Sequence, residues 1–133
     1  MTAKEYLNQY RILDEYIDCK LGQVAELRAM AEKTSPSSGS GNSGTSDRIG
    51  KTVAKIVDLE KEINDKIDEL LKFRNEIQIQ IAAIGDPVYK LILEERYING
   101  YSFERISRHL NYSRVHVCRL HGKALLLINP PDE

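Results

Sequence analysis

The sequence predicts an all-α fold: a long antiparallel helical hairpin of coiled-coil type, followed by a C-terminal trihelical helix-turn-helix domain. Three observations predict it. Apolar residues recur at helical spacing along two long stretches, a Ser/Gly-rich segment separates them, and Gly85-Asp86-Pro87 punctuates the chain before several short amphipathic runs. With 133 residues, 41% apolar and 29% charged, the chain is too apolar for disorder and too charged for a single globular core. Helices with wide solvated faces fit that balance, and the length excludes a large multidomain enzyme.

The first element runs from Thr2 to about Lys33, where Gly22 is the only glycine and proline is absent. Tyr6, Tyr10, Leu13, Ile17, Val24, Leu27 and Ala31 make an apolar stripe, widened by Leu7 and Leu21. Residues 34–47, TSPSSGSGNSGTSD, hold nothing that profits from burial and read as a flexible loop. Asp47 then offers an N-cap for a longer helix from Arg48 to about Gly85. Along it Ile49, Ile56, Ile63, Leu70, Ile77 and Ile84 fall every seven residues, with Val53, Leu59, Ile67, Phe73 and Ile81 beside them. A sustained heptad wants a helical partner along its length. The first helix is the nearest one, and leftover apolar surface would suit a homodimer. Glu60, Glu62, Asp65, Asp68 and Glu69 interleave with lysines as solvated outer-face charges with i to i+4 partners.

Residues 1–86 thus form the hairpin and 87–129 a second unit, with 130–133 a frayed tail. Asp86 caps and Pro87 starts a helix to Ile98, with Val88, Leu91, Ile92 and Tyr97 inward. Asn99 and Gly100 break it. Ser102 caps the next helix, to Leu110, Asn111 and Tyr112 turn the chain, and Ser113 caps a last helix to about Ile128. Two short helices on a tight turn have the dimensions of a helix-turn-helix. Ile106, Leu110, Val117, Leu120 and Ala124 interlock as their inner faces, which leaves Arg114, Val115, His116, Cys118 and Arg119 outward. The early residues of such a helix are those that reach base edges in a major groove.

A net charge of −1 argues against nucleic acid when taken whole, but the charge is unevenly spread. Residues 1–86 carry 12 basic and 15 acidic side chains, and residues 87–133 carry 7 and 5. Between Arg105 and Ile128 lie Arg105, Arg108, Arg114, Arg119 and Lys123 with no acid. That is a basic patch on the element whose geometry suits DNA. Arg114 and Arg119 are the candidates for base or phosphate contact, and Arg105 and Arg108 for phosphates that set register. Ser113 would also present a backbone N–H to a phosphate, while Tyr112 either packs inward or reaches the backbone.

The segment Leu93 to Tyr97, Gly100-Tyr101-Ser102, Glu104 to Ser107, Leu110, Ser113-Arg114, Val117 and Lys123-Ala124-Leu125 resembles the region-four helix-turn-helix of bacterial sigma factors. More loosely, the whole chain resembles phage and prophage late-gene transcriptional regulators of Gram-positive bacteria, of the ArpU and RinA type. The resemblance implies that Arg114, Val115, His116, Cys118 and Arg119 face promoter DNA. Val115 stands where sigma factors commonly carry an acid, and Cys118 where they carry a further arginine. A different DNA sequence, or weaker binding, is what that departure implies.

Other chemistries find little support. Cys118 lies three residues from His121, with His109 and His116 nearby, but a zinc site wants four well-placed ligands and no CxxC is present, so no metal or cofactor is expected. No GxSxG, P-loop, HExxH or paired-carboxylate pattern points to an enzyme. Two distant cysteines, Cys19 and Cys118, suit free thiols in a reducing compartment. No apolar run reaches the roughly 20 residues that span a bilayer. The expectation is therefore a cytoplasmic regulator in a bacterial host, with double-stranded promoter or operator DNA as partner, no membrane contact, and a recognition helix over 113–128. The hairpin would dimerise or touch RNA polymerase. The competing expectation is a coiled-coil adaptor in which the trihelical end is only a structural cap.

Overall fold

Tyr6, Leu7 and Tyr10 are buried on the first helix, where the stripe places them, and they show where the main core sits. The computed structural model describes residues 1–33 and 43–131, the side chains of 43–46 apart. All regular structure in these residues is helical: α1 (Ala3–Lys33), α2 (Ser43–Ala82), α3 (Pro87–Leu93) continuing as a π-helical turn (Glu94–Ile98), α4 (Phe103–Leu110) and α5 (Arg114–Leu125). No described helix is long and apolar enough to cross a membrane.

Helix α2 starts at Ser43, so Asp47 lies inside the helix instead of capping it. Once the apolar stripe has nucleated a helix, each added residue gains a hydrogen bond, and four or five poor helix formers are carried along. Of the expected loop 34–47, residues 34–42 lie outside the described ones and 43–47 are helical.

The chain forms two compact units, and neither matches the boundary expected at 86/87. One comprises residues 15–69, the other residues 1–14 together with 70–133. In the second, Tyr6, Leu7, Tyr10, Ile77, Ile81 and Ile84 share a core with Leu93, Tyr97, Ala124 and Ile128. Phe73 completes it, stacked on Tyr6 at 5.1 Å and edge-on to Tyr10 at 5.7 Å between ring centroids. Residues 87–128 cannot close a core of this size alone, so they borrow one wall from α1 and one from α2. Gln80 and Asn129 tie the end of the chain to α2: the Asn129 N–H donates to Gln80 Oε1 at 2.7 Å, and Gln80 Nε2 donates to the Asn129 carbonyl at 2.8 Å. Asp132 and Glu133, at the end of the expected tail, lie outside the described residues.

In the 15–69 unit, residues of α1 and α2 meet along a seam where Ile17, Val24 and Ile63 are buried. Two helices can bury only one stripe each, and Leu21 and Val53 stay exposed although both lie on apolar stripes, as does Val57 outside them. The charges differ from expectation. Glu62 accepts from the Tyr16 hydroxyl at 2.8 Å and lies 4.0 Å from Lys20, and Glu60 pairs with Arg28. These acids bridge to the other helix, because both are half-buried beside the seam, not solvated on an outer face.

Helix α3 starts as its sequence dictates: Asp86 Oδ1 accepts from the Val88 N–H at 2.8 Å, with Pro87 in the first turn. The π-helical turn then widens the helix, its last bond running from Asn99 N–H to the Glu94 carbonyl at 3.0 Å. On α3, ahead of that turn, Leu91, expected inside, is exposed, while Leu93 is fully buried in the core with Tyr6, Leu7 and Tyr10 and Ile92 packs in a second one with Ile106 and Val117. Gly100, at φ +74°, lets Tyr101 N–H close back on the Glu95 carbonyl at 2.9 Å. The turn also buries Glu95, whose Oε1 lies 2.9 Å from His109 Nδ1 and whose Oε2 has no hydrogen-bond partner.

Candidate nucleic-acid interface

Ser102 and Ser113 define the two helices that carry the candidate site. Ser102 Oγ accepts from the Arg105 N–H at 3.2 Å, and Ser113 Oγ from the His116 N–H at 3.1 Å, each in extended backbone ahead of its helix. Between them Asn111 sits in the left-handed region at φ 56°, where asparagine is tolerated, and Tyr112 N–H returns to the Ser107 carbonyl at 3.0 Å. Ile106 and Val117 are fully buried with Ile92, and Leu110 and Leu120 pack against them. The pair α4 and α5 is thus held by its inner face. Helix α5 ends at Leu125, earlier than the expected 128, and i to i−3 bonds carry the chain through Leu126, Leu127 and Ile128.

His121 shows how tightly that inner face is organised. It is 6% exposed, and its Nε2 shares a hydrogen bond with the Tyr97 hydroxyl at 2.6 Å. The Tyr97 ring stacks on it and Phe103 meets it edge-on at 4.9 Å. Burial pushes its pKa down to about 4, with Arg96 and Lys4 adding like-charge repulsion. Burial also raises the Tyr97 pKa, so the tyrosine stays protonated beside the neutral imidazole. Cys118 is exposed while His121 is buried, so the two do not share a ligand face. Among the described residues no group of three or more His, Cys, Asp or Glu side chains is arranged to hold a metal ion.

All ten expected contact residues are exposed: Arg105, Arg108, Tyr112, Ser113, Arg114, Val115, His116, Cys118, Arg119 and Lys123. Ser113, Arg114, Val115, His116, Cys118 and Arg119 share the cap and first two turns of α5. Tyr112 neither packs fully inward nor stands free, its ring lying edge-on to His116 at 4.8 Å. The Arg105 guanidinium lies over Tyr101, 3.7 Å from the ring centroid, and Arg114 Nη1 lies 3.7 Å from Glu104 Oε1. Arg108, Arg119 and Lys123 have no ion-pair partner among the described residues.

Three neighbours of the patch escape a reading by sequence distance. Glu104 is one residue upstream of the acid-free run and brings a carboxylate to its edge. As an exposed pair its link to Arg114 is worth at most about 1 kcal/mol, so an incoming phosphate can displace it. Tyr101 preorients Arg105, and Phe103 holds Arg96 at 4.2 Å from its ring centroid. The signals were an aromatic residue four positions ahead of Arg105, and one seven positions after Arg96 across the Gly100 turn. Chemically, the arrangement offers planar cations, a serine-capped helix start and an imidazole on one surface. Such a surface suits phosphate oxygens and guanine edges.

The family model described as "Protein of unknown function (DUF1492)" matches residues 34–129, which take in α2 through α5 and leave out α1. No curated protein and no solved structure matches the chain.

Proposed function

The chain belongs to the DUF1492 family, a family of phage-associated proteins, and on that premise we propose that it is a sequence-specific double-stranded-DNA-binding regulator of phage or prophage transcription. One observation carries the reading. The first two turns of α5 present Arg114, His116 and Arg119 to solvent, while Val117, His121 and Ala124 lock the opposite side into the fold. An exposed cationic helix start, rigidly held on a second short helix, is the arrangement that enters a major groove. The resemblance to sigma region four and to late-gene regulators of the ArpU and RinA type supports it. So do Arg105 and Arg108 on α4, placed to grip phosphates. The patch is small and bordered by Glu104, so stable promoter binding draws on a second contact, with another copy of the chain or with host RNA polymerase. The bacterial cytoplasm is where these partners are met.

The test is selection of bound duplexes from a random DNA pool, followed by titration across salt with and without polymerase. Binding should weaken with a log-log slope of about −0.9 per phosphate neutralised. Failure to enrich any duplex in either condition would sink the proposal.

A second reading, a protein-interaction adaptor, draws on Leu21, exposed in the open groove it lines with Val24, Ala25, Ile63 and Ile67, and on Val53 and Val57, exposed elsewhere on α2. A charge placed at Val57 should then abolish partner binding, while Arg119→Ala leaves it intact. Removing residues 87–133 is not a clean test, since they share a core with residues 1–14 and 70–84.

A further inference from the structure

The first two turns of helix α5 carry one large aliphatic side chain outward, and it cannot bind a phosphate. Val115 is 69% exposed, among polar neighbours Ser113, Arg114, His116 and Arg119. Its direction follows from Val117, which is fully buried. At 3.6 residues per turn, positions two before and two after Val117 lie about 160° round the helix from it. Val115 and Arg119 therefore point away from the core together, one turn apart. The β-branched side chain makes no core contact, and valine is a poor helix former, so neither packing nor propensity accounts for it.

Base-edge chemistry supplies an account. Of the four base pairs, only those containing thymine present a methyl group in the major groove, and an exposed aliphatic side chain is its natural contact. We propose that Val115 is a specificity-determining residue that packs on a thymine 5-methyl group. One helical turn rises about 5.4 Å and one base pair about 3.4 Å, so this thymine lies within about two base pairs of the base read by Arg119. Arginine reads guanine best, through O6 and N7. The recognised element therefore joins an A·T pair to a nearby G·C pair. The inference rests on the DNA-binding reading and adds a base identity to it. It also separates DNA from duplex RNA, whose uracil lacks the methyl and whose major groove is too narrow for side chains.

The experiment uses the full chain and the duplex enriched from the random pool. Each thymine of the enriched site is replaced singly by deoxyuridine, which removes one methyl and keeps every hydrogen-bonding group. At one position the wild-type protein should lose about fourfold in affinity, as expected for one buried methyl. Val115→Ser should bind thymine and deoxyuridine duplexes equally, at the weaker level, with an unchanged melting temperature. Equal wild-type binding to every deoxyuridine duplex overturns the inference while leaving DNA binding standing. So does a Val115→Ser protein that still prefers thymine. Enrichment of no duplex DNA, or of RNA in its place, overturns both.

Discussion

Acidification should destabilise this protein through His121 by an amount large enough to measure. In the unfolded chain the imidazole titrates at its ordinary value of 6.5, and in the folded chain at about 4. Between these values the unfolded state takes up a proton that the folded state refuses, so stability is full above pH 6.5 and falls as pH drops toward 4. Each pH unit removes about 1.4 kcal/mol, about 3 kcal/mol over the window. That is a sizeable part of the 5–15 kcal/mol typical of a small domain. The main cause is burial against Tyr97 and Phe103, with Arg96 and Lys4 as the nearby positive charges. The control is His121→Gln, which can still hydrogen-bond the Tyr97 hydroxyl but does not titrate. Urea unfolding at half-unit steps from pH 7.5 to 4 gives stability against pH for both proteins. The wild-type curve should fall more steeply than the variant's below pH 6.5 and run parallel to it above. Parallel curves throughout would show that His121 is not held neutral by the core, and the account of the α5 inner face would be wrong.

The turn and the outer face yield three more expectations. Ser113→Ala removes the acceptor for the His116 N–H and should cost about 1 kcal/mol, read as a lowered urea midpoint. Asn111→Gly should be tolerated and Asn111→Val should cost about 1–2 kcal/mol, because Asn111 holds φ at 56° and a β-branched residue is strained there. Gly122→Ala meets nothing within 4 Å and should stabilise α5 by roughly 0.5–1 kcal/mol. Since Gly122 lies two turns along the same side as Val115, the same change should weaken DNA binding; unchanged affinity would mean that this side does not enter the groove.

Local features of the fold were legible and long-range ones were not. Asp86, Ser102 and Ser113 are short side chains ahead of apolar runs, and each caps a helix. Ile106, Val117 and Ala124 are buried as their spacing requires. The exchange of Leu91 for Leu93 was hidden, since α3 serves two cores, Ile92 in one with Ile106 and Val117 and Leu93 in the other with Tyr6 and Tyr10, and a single inward stripe does not announce the second. Also hidden was the core joining Tyr6 and Tyr10 to Leu93 and Tyr97, a contact between residues more than eighty positions apart. Glu60 and Glu62 look like surface charges by spacing alone, yet their partners lie on α1. At the candidate site exposure was legible, whereas the aromatic support of Arg105 depends on how Tyr101 lies just ahead of α4, and the carboxylate beside Arg114 on how the Asn111 turn folds α5 back toward Glu104.

Helix α5 divides its two tasks between opposite sides, and that division decides how loss of function should be interpreted. Val117, His121 and Ala124 face the fold and make no contact available to a ligand. Val115, Cys118, Arg119 and Gly122 face solvent and bury nothing. Apart from Gly122, where alanine also changes helix propensity, a substitution on the outer side therefore changes binding at nearly constant stability, usually within about 0.5 kcal/mol. One on the inner side changes stability first, and binding only through the fraction unfolded. Arg114 stands between the two cases, because removing it frees Glu104 as well as deleting a cation. Arg114→Ala should for that reason weaken binding more than Arg119→Ala weakens non-specific binding, and Glu104→Gln should recover part of the loss. If Glu104→Gln leaves salt-dependent binding unchanged in both backgrounds, the carboxylate lies outside the contacted surface and the DNA approaches from the Arg119 side alone.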